Sequence, residues 1–142
     1  MITYRPVGTR LVAYGGALAL VVMAVAITVA LPADIRAQVT PSQALTLLGT
    51  LAAMVLVLHG IGRSCVRVDD DGIEVLNGFR RHRHAWTDVA GVAYPEGAPW
   101  PILVLKDDEQ RVMLFGIQRS GGIASSRAAV MDIAHRVDSA AR

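Results

Sequence analysis

The chain changes its rhythm once. From Leu11 to Leu31 it reads LVAYGGALALVVMAVAITVAL, with no charge. At 1.5 Å rise per residue, that stretch is long enough for a hydrocarbon core of ~30 Å. A second run, ALTLLGTLAAMVLVLHGI from Ala44 to Ile61, lies near the lower limit of ~17 residues for a spanning helix. Pro32 and Pro41 bracket the polar segment between the runs and are read as helix stops, and Asp34 and Arg36 within it cancel. The pattern predicts a transmembrane hairpin: helices over 11–31 and 44–61, with an extracytoplasmic loop at 32–43. A cleaved signal peptide fits poorly. The first run exceeds the usual h-region of ~7–15 residues, and VALPAD is a poor cleavage site. A buried soluble helix fits the second run no better, because only scattered Thr and Gly interrupt it.

After Gly62 the period falls to two. SCVRVDDDGIEVLNGFRRHRHAW reads as strand, turn, strand, turn, strand. Cys65–Val68 is short and β-branched, and Asp69–Gly72 is a polar turn. Ile73, Val75 and Asn77 alternate with Glu74 and Leu76. Asn77-Gly78 is a strong hairpin signal, because both residues tolerate positive φ. Arg80 to Trp86 returns as a third strand. Beyond a break at Thr87-Asp88, Val89, Val92 and Tyr94 suggest a fourth strand. PEGAPWP is a loop, Ile102–Lys106 a fifth strand, Asp107-Asp108-Glu109 a turn and Arg111–Ile117 a sixth strand. Gly121-Gly122 breaks the pattern. A final helix follows, capped by Ser125 or Ser126, with Val130, Ile133, Ala134 and Val137 as its apolar stripe. The predicted fold class is an α+β membrane protein. A two-helix hairpin precedes an antiparallel sheet of about six strands over 62–142, which curls toward a barrel and is covered by a C-terminal helix.

Composition and charge sharpen this picture. Apolar residues make up 53% of the chain and aromatic ones 5%, too greasy for an ordinary soluble domain. Arg5 and Arg10 precede the first helix; Arg63 and Arg67, then Arg80, Arg81 and Arg83, follow the second; the connecting loop has only Arg36. The positive-inside bias therefore predicts a multi-pass protein of the cell inner membrane, with residues 1–10 and the C-terminal domain in the cytoplasm. From Gly62 onward acids and bases balance, which argues against a nucleic-acid partner. The single cysteine, Cys65, makes no disulfide framework or zinc cluster and fits a reducing cytoplasm. Gly15, Gly16, Gly49 and Ala53 would permit close helix approach within the hairpin or a dimer. His59 reads as an interfacial residue reaching the headgroups rather than as a proton relay.

Several motifs carry a resemblance. They are Asp70-x-Gly72-Ile73-x-Val75, the arginine-rich strand after it, Trp86-x-Asp88-Val89-x-Gly91-Val92, a later Trp100 and the strand turn at Asp107-Asp108. With two preceding apolar helices, this stretch resembles the bacterial pleckstrin-homology (PH-like) domain of small membrane proteins, and is similar to mycobacterial low molecular weight protein antigens that carry it. The resemblance covers Val68 to about Ile117 and implies a PH-like sheet with a C-terminal helix. Asp107-Asp108 departs from the family's usual Asp-Gly turn. The family is defined mainly by fold, and fold does not specify function.

The candidate chemistry is one of contact. On a strand, Arg80, His82 and His84 share one face, and Arg81 and Arg83 the other. Neither set is apolar, so this strand is an edge or a hairpin arm. Arg63, Arg67, Arg80, Arg81, Arg83 and Trp100 are candidate contacts for lipid or a partner. The arginines equally serve topology and edge protection against aggregation. Trp86 and Trp100 are core or rim anchors, and Trp100, stiffened between Pro99 and Pro101, would make a binding hot spot if exposed. Asp70, Gly72, Asn77, Gly78, Trp86, Asp88 and Gly91 are structural. The acids Asp69, Asp70 and Asp71 sit in the first hairpin turn and would repel a phosphate, so specific phosphoinositide binding there is disfavoured. They lack the ligand pattern of a calcium loop. His82 and His84 lack a third metal ligand. Ser64, Ser120, Ser125 and Ser126 sit in no nucleophile elbow, and Cys65 has no evident histidine partner. The reading is thus no enzyme, no cofactor, no metal and no small-molecule substrate. It expects a binding or scaffold module for another membrane protein or a second copy, with headgroup sensing by Arg80–His84 as the alternative.

Overall fold

A computed structural model describes residues 2–106, 111–119 and 122–141. The expected turn at Asp107-Asp108-Glu109, together with Ser120 and Gly121, lies outside the described residues. Two long helices, α1 (Val7–Ala30) and α3 (Pro41–Arg63), flank a short α2 (Ala33–Ala37). Their apolar windows are each only 6% buried within the protein. A soluble core helix would be mostly covered, so helices this long, apolar and bare associate with a membrane. They pack antiparallel. A Cβ on Gly62 would lie 3.0 Å from the Tyr14 ring, so Gly62 permits the close approach there. One on Gly16 would meet Leu58 at an ordinary 3.9 Å, and Gly15 and Gly49 face open space.

Pro41 starts a helix instead of stopping one. It occupies the first position of α3, where a missing N–H costs nothing. Thr40 Oγ1 accepts from the Gln43 amide at 3.4 Å, and Gln43 Oε1 accepts from the Thr40 amide at 3.0 Å. That reciprocal pair is a capping box.

The remainder is two antiparallel sheets and one helix. The first sheet has the order β1 (Ile2–Tyr4), β2 (Cys65–Val68), β3 (Gly72–Asn77), β4 (Arg80–Ala85). A 3-10 turn at Trp86–Asp88 leads to the second, β5 (Val89–Ala93), β6 (Ile102–Leu105), β7 (Arg111–Met113). Among the described residues there are seven strands rather than six, and the sheets do not join into a closed barrel. The extra strand, β1, precedes the first helix: Ile2 pairs with Val68, Thr3 with Arg67 and Tyr4 with Val66. The helical hairpin is therefore an insertion between two neighbouring strands. The core is Val66, Val68, Ile73, Val75, Trp86, Val89, Leu103 and Leu114, closed by Ala129, Ile133 and Val137 of α4 (Ile123–Ala140).

Three local expectations change. The β3–β4 register pairs Asn77 with Arg80, so the two-residue turn is Gly78-Phe79, with Gly78 at φ 61°. Glycine at the first central position is a preferred hairpin solution, and Asn77 stays in the strand. The sixth predicted strand stops at Met113 because the chain next crosses β2. A Cβ on Gly116 would lie 2.5 Å from the Val66 amide. Helix α4 begins at Ile123, after Gly122 at φ 110°. The Ser125 and Ser126 hydroxyls donate to the Gly122 carbonyl, at 2.9 and 2.7 Å, and so do not cap the helix. Its buried face is Ser126, Ala129, Ile133 and Val137, with Val130 and Ala134 half-buried.

Candidate binding surface

The register of β4 determines what its basic residues can do. His84 lies opposite Ile73, His82 opposite Val75 and Arg80 opposite Asn77; Arg83 and Arg81 lie opposite Glu74 and Leu76. The strand is an edge and is exposed except at His84. Arg81 reaches Glu74 at 3.8 Å, and Arg67 reaches the same Oε1 at 2.8 Å. Arg83 pairs with Asp69 at 3.1 Å. Two of the strand's three arginines thus already have counter-charges. Arg80 has no acidic partner among the described residues.

The His82 and His84 rings stack with centroids 6.3 Å apart. His84 Nε2 is enclosed and has no hydrogen-bond partner among the described residues. Burial first, and then His82, push the pKa of His84 down. Among the described residues no three His, Cys, Asp or Glu side chains are grouped to hold a metal.

The acidic turn is tied into the fold. Asp69 Oδ1 accepts from the amides of Asp71 and Gly72 at 3.2 and 2.8 Å. Trp86 Nε1 donates to the Asp69 carbonyl at 3.0 Å. Asp70 faces Arg136 at 3.6 Å. Any side chain at Gly72 would strike the His84 carbonyl, 2.2 Å from its Cβ position. Farther along, the Asp88 carbonyl accepts from the Lys106 amide at 2.9 Å. Gly91 adjoins a register irregularity of β5, in open space. Trp100 is half-buried and meets Phe115 edge-on, with centroids 4.7 Å apart.

The tip of the β3–β4 hairpin rests on the end of α3. The Gly78 amide donates to Ser64 Oγ at 3.0 Å, and that hydroxyl donates to the Gly60 carbonyl at 3.3 Å. Phe79 covers Gly60, where a Cβ would be 2.8 Å from the ring, and the Arg63 guanidinium lies 5.4 Å from the ring centroid. Asn77 Nδ2 donates to the Met113 carbonyl at 2.7 Å, linking the two sheets. At the other end of the hairpin insertion, the Tyr4 hydroxyl donates to Asp132 Oδ2 of α4 at 3.0 Å. Burial, then that bond, raise its pKa to about 12. The sequence reading missed Tyr4 and Phe79. An aromatic residue following Asn-Gly was the available signal for Phe79, but a three-residue strand before a long helix leaves no period to read. Arg63 and Arg67 do meet, in a cleft shared with Arg5 and Arg10; of the β4 arginines only Arg81 shares a carboxylate, Glu74, with Arg67.

A family model described as Bacterial PH domain matches residues 63–135. The chain belongs to the bacterial PH domain family. No curated protein and no solved structure matches the chain. The matched range runs from the last residue of α3 through most of α4. The sheet here therefore includes one strand, β1, from outside the matched range. Domains of this kind are generally non-catalytic modules.

Proposed function

We propose that the protein is a non-enzymatic, membrane-anchored binding module. Its PH-like domain sits on the cytoplasmic face of the inner membrane and serves as a scaffold or accessory for another membrane protein. The observation that carries this reading is the β1–β2 pairing across the helical hairpin. Strands on either side of the insertion lie side by side, so both ends of the hairpin emerge on one face of the membrane. The positive flanks then favour the cytoplasmic side. The domain is bolted down at both helix ends, which fixes the direction in which its open β4 edge points. A fixed edge suits a partner that is itself fixed in the membrane. Headgroup sensing by β4 is the weaker reading, because Glu74 and Asp69 already hold Arg81 and Arg83.

The test is site-specific photocrosslinking of the full-length chain in its native membrane. A photoreactive residue at His82, on the β4 edge, is expected to give a discrete protein adduct, whereas one at Ser139, on exposed α4, is not. Adducts to lipid alone from His82, or no adduct, would overturn the scaffold reading.

A further inference from the structure

A cleft of about 220 Å³ opens where the two long helices enter the domain, lined by Arg5, Arg10, Arg63, Arg67, Tyr14 and Ser64 among others. Four arginines reach it from four places: the segment before α1, the first turns of α1, the last residue of α3, and β2. Among the described residues, none that lines the cleft is acidic. Only Arg67 has a carboxylate partner, Glu74, while Arg5, Arg10 and Arg63 have none among the described residues. Arg10 lies near the positive end of α1, whose first turn carries no acid. Its charge is unfavourable there unless an anion offsets it. The uncompensated charge is therefore local, although the domain as a whole is balanced.

The level of the cleft also matters. The apolar length of both helices begins at its rim, and Tyr14 stands about 10 Å above Val7 at 1.5 Å per residue. Its hydroxyl is 3.5 Å from His59 Nδ1, and tyrosines concentrate at this headgroup depth. Basic pockets between membrane helices at their cytoplasmic ends bind anionic headgroups, and guanidinium forks match phosphate oxygens in pairs. A volume near 220 Å³ falls below the ~300–1,000 Å³ of drug-sized sites, yet it suits a phosphate with a short ester arm.

We infer that this cleft, not β4, is an anion site that takes the phosphodiester headgroup of an anionic phospholipid. The inference rests on the helices lying in a bilayer. Arg10 and Arg63 grip the phosphate, Arg5 closes the cytoplasmic side, and Arg67 is kept in place by Glu74. A bound lipid would then join both helix ends to the first sheet.

The test uses the full-length chain purified in mild detergent, with lipid retention read by native mass spectrometry. Wild type is expected to retain phosphatidylglycerol and not phosphatidylcholine. The Arg10→Gln/Arg63→Gln double variant should bind about thirtyfold more weakly, given ~1 kcal/mol for each basic residue at an anionic surface. Arg10→Lys/Arg63→Lys keeps the charge and should recover most of the affinity, which guards against a folding artefact. Arg119→Gln/Arg127→Gln, at positions that line a different cleft beside Glu96, should match wild type. Equal retention of both lipids, or no loss in the Gln pair, would overturn the site. Inorganic phosphate is titrated in parallel. Arginine-dependent phosphate binding without lipid retention would overturn the lipid source in favour of a soluble phosphate. Failure of the membrane reading would show separately, as chain left in the soluble fraction on membrane flotation before detergent is added.

Discussion

His84 shows how one side chain at a sheet edge acquires a pH dependence. Its Nε2 is enclosed without a partner among the described residues, and its neighbour His82 stacks in parallel. Both features disfavour the imidazolium, so its pKa falls below the ordinary 6.5. The sign follows from linkage. The unfolded chain takes up the proton first as pH drops past 6.5. The stability involved is therefore complete above that value and is lost below it. Thermal melts of the full-length protein between pH 7.5 and 5 should show Tm falling on the acid side, with a shallower fall in His84→Gln. Identical pH profiles would remove His84 as the cause. Gly116 offers a steric counterpart. Its Cβ position is 2.5 Å from the Val66 amide and 2.8 Å from the Cys65 Cα, and a strand backbone in the core does not retreat. Gly116→Ala should cost about 3 kcal/mol, the upper end for overpacking, read by chemical denaturation. A loss under 0.5 kcal/mol would mean that the crossing is looser than its geometry.

At the scale of elements, the chain was legible wherever a period had room to repeat. The two apolar helices, the β2-turn-β3-turn-β4 run and α4 all span several turns or alternations. Asp-Asp-Gly and Asn-Gly mark their ends, though the register moved the hairpin turn from Asn77-Gly78 to Gly78-Phe79. What failed was short or non-local. β1 has three residues, and its reason for being a strand lies on β2, over sixty residues away. β7 stops early because Gly116 must pass over β2. The candidate site divided in the same way. The residue types were visible, but their partners were not, because the pairs Arg67–Glu74, Arg83–Asp69 and Tyr4–Asp132 arise from tertiary register. The missed strand carries its own prediction. A soluble fragment beginning at Arg63 leaves β2 as an unpaired edge beside core residues Val66 and Val68, a template for aggregation. Replacing residues 7–63 with a short glycine turn, so that Ile2–Tyr4 precedes β2 as a hairpin, should yield a monomeric fragment of higher Tm. In that fragment Tyr4→Phe should lose about 2 kcal/mol, the worth of a hydrogen bond to a carboxylate. Equal Tm and solubility with and without β1 would show the strand to be dispensable.

For the molecule as a whole, the decisive relation is between chain order and sheet order. The chain runs β1, hairpin, β2, while the sheet places β1 directly beside β2. Thr3 and Arg67 face one another across that seam, one on each side of the entire helical insertion. The seam determines what kind of membrane protein this is. If the hairpin crosses and returns, residues 3 and 67 share a compartment and the domain assembles with its β1 edge in place. If either helix fails to cross, the two residues lie in separate compartments and the seam is not made. A paired-cysteine variant, Thr3→Cys/Arg67→Cys in a Cys65→Ala background, with a protease site placed in the loop at Gln38, reads this directly. Adjacent positions on antiparallel strands come within disulfide reach of ~4.4–6.8 Å between Cα atoms. After mild oxidation in native membranes, loop cleavage should leave one band on a non-reducing gel and two after reduction. Either cysteine alone should give two bands in both lanes. Two bands from the oxidised pair would mean that β1 is not paired to β2 in the membrane. The domain would then hang from α3 alone, free to turn, and the fixed β4 edge and the arginine cleft at the helix ends would lose their common support.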